Sequence, residues 1–311
     1  VRALVIGASG QVGAALIAAL RARGHEAIGT YATRPAPEAS FPLDLRDPAA
    51  VEHAIAFAKP DWIFCPAALS WVDYCEDHEA EALLLNRDAP LAAARLGRRL
   101  VGAGFVYYSS DYVFDGRAGP YDEDAPPRPL GAYGRSKLAG EQALRELPRT
   151  LVLRTSVVYG PERQEKNFVY QMLRSFREGR PLRPARDQRA SPTYNPDLAQ
   201  ASVELAEQER HGLFHVAGGA VLDRLEFTLL ICRTFGLDAG RLRPALTAEL
   251  GQKAARPLAG GLRVDRAQAL VSCRLRPPAE GLAAMRRALD EAAARAGAED
   301  PTLPPPGGRA G

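Results

Sequence analysis

Short apolar, β-branched runs alternate with amphipathic stretches through the first half of the chain. Residues 3–6 form an apolar run stopped by Gly7, and residues 12–23, rich in Ala and Leu, read as a helix that ends before Gly24. Residues 26–31 and 41–43 read as a second and third strand, 48–58 as a helix, and 61–65 as a fourth strand. The spacing predicts a long helix over 79–100, interrupted at Pro90, because proline lacks the ladder donor and clashes with the preceding turn. A fifth strand follows at 104–109, a helix at 133–147 and a sixth strand at 151–156. This β-α-β alternation predicts an α/β fold: a Rossmann-type, doubly wound parallel sheet with helices on both faces. Such a sheet takes its ligand at the carboxyl ends of its strands.

The rhythm changes after Gly160. A helix over about 167–177 precedes an Arg- and Pro-rich loop at 179–196, a returning strand is expected at 213–216, and helices at 225–235 and 278–296. The expected division is a dinucleotide-binding unit at 1–158, completed by about 195–218. A smaller, interleaved C-terminal substrate-binding region spans 159–194 and 219–297. The Pro- and Gly-rich residues 298–311 read as a loose tail. No internal repeat is visible.

Composition narrows the function classes. At 311 residues, 46% hydrophobic and 25% charged, the chain has ample material for a core. A net charge of +3, with arginines scattered among acids and no basic stripe interleaved with aromatics, argues against nucleic acid as a partner. Cys65, Cys75, Cys232 and Cys273 form no C-x-x-C pair, and no His pair has zinc spacing, so neither a metal nor a disulfide framework is expected. The opening residues run into glycines rather than an apolar h-region, and no apolar run approaches the roughly 18 residues of a membrane span. A cytoplasmic location with no membrane partner is the expectation.

Gly7-Ala8-Ser9-Gly10-Gln11-Val12-Gly13 sits between the first strand and the first helix. Glycines there permit a tight turn and close approach of the backbone to a pyrophosphate, which the helix N-terminus then attracts. A glycine pattern alone is weak; its place at the first turn of a βαβ unit carries the argument. After the second strand no acid appears to hold a ribose 2′-hydroxyl. Arg34, helped by Thr30 and Thr33, is instead suited to a 2′-phosphate. The expected cofactor is therefore NADP(H), with NAD(H) left open.

Tyr133 and Lys137 lie four residues apart, on one face of a helix. A tyrosine titrates near pH ~10, and a neighbouring ammonium favours its phenolate. Tyr133 can then hand a proton to a carbonyl oxygen while hydride reaches the carbon, and Lys137 can also hold the nicotinamide ribose. Upstream, Val106-Tyr107-Tyr108-Ser109-Ser110-Asp111-Tyr112-Val113-Phe114-Asp115-Gly116 leaves a strand, where a hydroxyl can polarise the same carbonyl.

The order of glycine loop, strand-end serine and Y-x-x-x-K resembles the extended short-chain dehydrogenase/reductase superfamily. Within it, residues 109–116 resemble the S-T-D-Y-V-F-x-G of dTDP-4-dehydrorhamnose reductases. Residues 66–76, Asn86, 153–160, 166–169, 187–188, 191–194, 197–199, 215–216 and 255–257 continue the likeness. The resemblance implies reduction of the 4-keto group of a nucleotide-linked 6-deoxy sugar. Ser110 would be the catalytic hydroxyl, and Ser109 would support the loop or touch the cofactor. Gly7, Ser9, Gly10, Gln11, Val12, Gly13, Tyr31, Arg34, Asp44, Leu45, Pro66, Ala67 and Ala68 would line the cofactor, with Asp44 beside the adenine. Val72, Asp111, Tyr112 and Asn195, and Asp73 more weakly, would face the substrate. A homodimer is the superfamily's common state. Cys65 stands where Asn usually does, and Val157 where a tryptophan usually lines the sugar pocket, which leaves the sugar open. Tyr112 replaces the glutamate of related dehydratases, and the acid that epimerases carry after the second strand is missing. The regulatory subunit of eukaryotic methionine adenosyltransferase, an NADP-binding protein that acts by contacting another enzyme, shares S-S-D-Y-V-F-D-G and is the alternative of another class.

Overall fold

The computed structural model describes residues 1–299. Its centre is a seven-stranded, wholly parallel sheet. In chain order the strands are β1 (Arg2–Val5), β2 (Glu26–Tyr31), β3 (Phe41–Pro42), β4 (Trp62–Cys65), β5 (Gly104–Ser110) and β6 (Thr150–Thr155). Three two-residue strands follow, β7 (Val158–Tyr159), β8 (Arg189–Ala190) and β9 (Thr193–Tyr194), then β10 (Gly212–His215) and β11 (Leu222–Asp223). The sheet order β10-β6-β5-β4-β1-β2-β3 is the doubly wound arrangement that the alternation predicted.

Side-chain alternation along each strand builds two cores at once. Ala3, Val5, Trp62, Phe64, Val106, Tyr108, Leu151 and Leu153 pack on one face, under α1 (Gln11–Ala22) and α8 (Asn195–Glu207). Leu4, Ile6, Ile63, Cys65, Phe105, Tyr107 and Val152 pack on the other, under α2 (Pro48–Ala58), α5 (Ala89–Val101) and α6 (Ala132–Arg145). Between α2 and α5 lie two short helices, α3 (Val72–Asp77) and α4 (Glu79–Leu83). A third core joins α7 (Phe168–Arg177), α9 (Arg224–Phe235) and α11 (Pro278–Glu299) through Tyr159, Val169, Phe227, Ile231, Leu282 and Met285. A short α10 (Asp265–Gln268) precedes α11.

Three expectations change. The helix at 79–100 is not broken at Pro90: a π turn, Leu84–Asp88, carries the chain from α4 into α5, with Pro90 in the first turn of α5. The carbonyl of Asn86, four residues before Pro90 and so deprived of its α-helical donor, accepts the Tyr107 hydroxyl at 2.6 Å. Second, the loop expected at 179–196 ends in α8, which fills a stretch given no element; Pro196 stands in its first turn, where its missing N–H costs nothing. Third, Ala298 and Glu299 close α11 rather than open a tail, and the tail expected at 300–311 lies outside the described residues. No described helix is long and apolar enough to cross a membrane.

Candidate functional site

The glycine turn fits a pyrophosphate. Gly7 has φ +94°, and a Cβ at Gly13 would stand 2.2 Å from the Gly7 carbonyl oxygen, so only glycine lets α1 lie this close on the turn. Gly10 caps α1 with no side-chain hydrogen bond, and the first turn holds no acid, leaving the leading N–H groups for an anion. Ala67, flanked by Pro66 and Ala68 after β4, donates its N–H to Ile6 at 3.2 Å and walls the turn. Val12 packs on the core beneath. From across the cleft, Gln164 donates to the Ser9 carbonyl at 3.0 Å. Asn195 donates to the carbonyls of Gln11 and Pro161, each at 3.1 Å, and is 1% exposed. Expected at the substrate, Asn195 braces the phosphate loop through its Nδ2, and its Oδ1 is buried with no partner.

At the far end of β2 the reading of Thr30 is corrected. It is fully buried and its hydroxyl accepts from Gly7 N at 3.3 Å, because strand alternation turns it into the core, away from any 2′-phosphate. Arg34 is exposed and has no ion pair among the described residues. Tyr31 accepts from Leu43 N at 2.7 Å, and Leu45 is buried. Arg46 holds Asp44 at 3.0 and 2.7 Å and keeps its carboxyl below the usual carboxylate range. The loop after β2 brings back an acid that local reading missed: the Glu38 backbone folds onto Gly29, and its carboxylate meets Arg163 at 3.3 Å. A glycine inside the second strand was the one available signal.

The catalytic candidates converge at the carboxyl end of β5. Ser110 donates to Asp111 Oδ1 at 3.1 Å and accepts from Tyr112 N at 3.2 Å, close enough to Tyr133 to favour its phenolate. A Cβ at Gly134 would lie 2.2 Å from the Tyr112 carbonyl oxygen, so glycine beside Tyr133 is what lets α6 press against this turn. Glu76 accepts from Ala132 N at 2.8 Å and supplies the cap that Gly131 cannot. Burial pushes the Tyr133 phenol well above its ordinary value, partly offset by Ser110. The expected lowering by Lys137 is not what dominates here: Lys137 Nζ donates to the Tyr108 carbonyl at 2.8 Å, and burial lowers its own pKa to about 8. Tyr133 is therefore a phenol at neutral pH, the form that donates a proton.

Beneath these groups runs a buried polar chain. Ser109 donates to Glu141, and Glu141 holds Arg154 in a fork at 2.9 and 2.6 Å, both side chains 2% exposed or less. His215, also fully buried, stands 3.5 Å from Arg154. Ser109 thus supports the strand end, one of its two expected roles. Asp111 receives hydrogen bonds from Ser110 and, at 2.5 Å, from Ser156; burial pushes its carboxyl up against those bonds.

On the open side, Val72 packs with Cys75, Tyr112 and Tyr133. Tyr112 lies edge-on to Tyr133, ring centres 5.6 Å apart. Asp73 is taken up by protein groups, accepting from Ala254 N at 2.9 Å and Arg256 Nη2 at 2.8 Å. Val157 holds φ +42°, a strained setting for a β-branched residue, with its carbonyl accepting from Thr193 N at 3.2 Å. All four cysteines are free, and no described cluster of His, Cys, Asp or Glu could hold a metal ion. Arg256, within the 255–257 likeness but given no role there, lies 6.0 Å from the centre of the Tyr112 ring.

The chain is 35% identical to a dTDP-4-dehydrorhamnose reductase of Mycobacterium tuberculosis, over 82% of each chain. It is 33% identical to methionine adenosyltransferase 2 subunit beta of Danio rerio, over 86% of this chain and 84% of that protein. The crystal structure of a dTDP-4-dehydrorhamnose reductase from Bacillus anthracis in complex with NADP superposes with a TM-score of 0.84, at 29% identity, over 92% of this chain and 99% of that one. The model of the RmlD substrate binding domain matches residues 1–291, and the chain, with its Rossmann-like sheet, belongs to that family.

Proposed function

We propose that the chain catalyses NADPH-dependent reduction of the 4-keto group of a nucleotide-linked 6-deoxy sugar, as a dTDP-4-dehydrorhamnose reductase does. The observation that carries this reading is the convergence of Ser110, Tyr112 and Tyr133 at the carboxyl end of β5, the end of the parallel sheet at which the glycine turn also lies. The bound dinucleotide would supply the hydride. Ser110 holds the carbonyl oxygen, and Tyr133 gives its proton to that oxygen as the alkoxide forms. Lys137 holds the cofactor ribose, and once displaced from the Tyr108 carbonyl its ammonium stabilises the phenolate left behind. The 2′-phosphate is assigned to exposed Arg34; Glu38, whose Oε1 meets Arg163 and whose Oε2 has no partner, would suit a free 2′-hydroxyl and keeps NAD(H) as the alternative cofactor.

The test is loss of NADPH absorbance with dTDP-4-dehydro-6-deoxy-L-mannose generated in place. Rapid oxidation, faster with NADPH than NADH, is expected, and Tyr133→Phe should lower turnover by about 10²–10⁴-fold while NADPH still binds. The likeness to methionine adenosyltransferase 2 subunit beta favours a second reading, a dinucleotide-binding regulatory protein. Tight NADPH binding without turnover of any keto sugar, together with copurification of a partner enzyme, would establish that instead.

A further inference from the structure

We propose that Tyr107 is a positioning residue for Lys137, its hydroxyl anchored on the π turn and its ring face set against the lysine ammonium. Strand alternation turns Tyr107 to the face of β5 that α5 and α6 cover, where it is buried. The anchor begins with Pro90. Proline has no N–H for the carbonyl four residues back, and the Asn86 carbonyl left open inside the protein is filled by the Tyr107 hydroxyl at 2.6 Å. Burial pushes the Tyr107 phenol well above its ordinary value, so it stays a donor. Gly140, one turn beyond Lys137, admits both partners: a Cβ there would lie 2.2 Å from the Asn86 carbonyl oxygen and 2.5 Å from the Tyr107 hydroxyl. The Asn86 side chain closes the joint, accepting from Leu69 N at 3.0 Å and donating at 2.9 Å to Ser136, the residue before Lys137 on α6. The phenol is thereby held at both ends, by the strand at its Cα and by the π turn at its hydroxyl.

Lys137 Nζ stands 4.9 Å from the centre of that ring. It is buried, and the Tyr108 carbonyl is its one hydrogen-bond acceptor among the described residues. The acids on the elements around it are spent elsewhere. Glu141, on α6 itself, is forked onto Arg154. Glu76 and Glu79, from α3 and α4, are taken up at the start of α6 by Ala132 N and Arg135, and Asp88 of the π turn by Arg87. Burial pushes the thiols of Cys65 on β4 and Cys75 on α3 up to about 12 and about 11, and Tyr133 is a phenol, so these three carry no charge at neutral pH. What favours the ammonium beside its one carbonyl is the electron-rich face of the Tyr107 ring, and that attraction is strongest where water is shut out. The importance of this charge for turnover rests on the reductase reading, in which Lys137 must be an ammonium to hold the ribose and the phenolate. The charge itself is argued from the side chains alone.

The chain carries four lysines, Lys59, Lys137, Lys166 and Lys253, and only Lys137 is buried. Labelling the whole chain with carbon-13 at lysine Cε therefore lets nuclear magnetic resonance follow each ammonium, and the signal lost in Lys137→Met identifies Lys137. In wild type its midpoint is expected at about 8. Tyr107→Leu should lower that midpoint by about one pH unit, and Tyr107→Phe, which keeps the ring face, by less than about 0.3. An unmoved midpoint in Tyr107→Leu overturns the proposal. Equal shifts in both variants overturn it too, since the hydroxyl bond would then be the source. Where Tyr107→Leu does not fold, Tyr107→pentafluorophenylalanine decides, because it keeps the shape of the phenylalanine variant and reverses the charge of the ring face. Equal midpoints in those two overturn the proposal. In turnover, the fall in rate on the alkaline side should move to lower pH by the same shift in Tyr107→Leu and return in Tyr107→Phe. A fall that stays in place while the titration moves would separate the ring from the reaction and overturn the positioning role. If wild type reduces no nucleotide sugar, the functional reading fails separately, and the lysine titration still upholds or overturns the part played by the ring.

Discussion

Lys137 is held where its charge is least welcome, 3% exposed among Tyr107, Tyr108 and Cys65, with its pKa brought down to about 8. A lysine depressed in this way binds its proton more weakly in the folded chain than in the unfolded one. Between about pH 8 and the ordinary lysine value the unfolded chain carries the extra proton, so stability rises with pH across that window. Below it the full penalty applies, about 3 kcal/mol. Lys137→Met is therefore expected to raise the melting temperature at pH 7 and to lose that advantage by pH 10, while turnover falls at least about 10²-fold. Melting curves at the two pH values check this; a variant less stable than wild type at both would show that the hydrogen bond to the Tyr108 carbonyl outweighs the desolvation. The serine, tyrosine and lysine themselves were legible because their spacing lies within one strand end and one helix. The state of Tyr133 was not, because burial, which no spacing encodes, governs it.

At the scale of elements, the Glu141–Arg154 fork ties α6 to β6 just behind the reacting groups. Glu141→Gln leaves a buried guanidinium without its counter-charge and is expected to cost about 3–5 kcal/mol, whereas Glu141→Leu combined with Arg154→Met should cost much less. Urea titrations of the single and double variants decide it; equal losses would mean that the pair acts through shape rather than charge. Strands and most helices could be read from local alternation, since both faces of the sheet are apolar. What escaped was set by partners far along the chain. Arg256 finds Asp73 across 183 residues, and Glu38 finds Arg163 across 125. The α8 helix escaped for a local reason: Pro196 closes the Arg- and Pro-rich stretch expected as a loop, although proline in a first turn is no obstacle.

Across the whole molecule, the sheet and the covering region are threaded through one another, since α8 and β10 belong to the sheet layer but follow α7, β8 and β9. The join is buried at His215, whose backbone N–H donates to Glu123 and whose ring burial and Arg154 drive to a pKa of about 3. The unfolded chain takes up a proton below about pH 6.5 that the folded chain refuses, so stability falls as pH drops from that point toward 3. At pH 5 the loss is about 2 kcal/mol. His215→Gln should flatten the decline in urea midpoint between pH 7 and pH 5; an unchanged slope would assign it to other groups.

The lateness of β10 has a consequence during synthesis. When β6 leaves the ribosome, its outer edge, with Leu151, Val152 and Leu153, has no neighbour. Two helices and three short strands must be translated before β10 arrives to pair with it. Until then the nascent chain carries an open apolar edge, the kind on which chains pair with one another. A chain stopped after α8 would therefore aggregate rather than persist as a small cofactor-binding protein, and the cleft comes into being only with both of its walls already made.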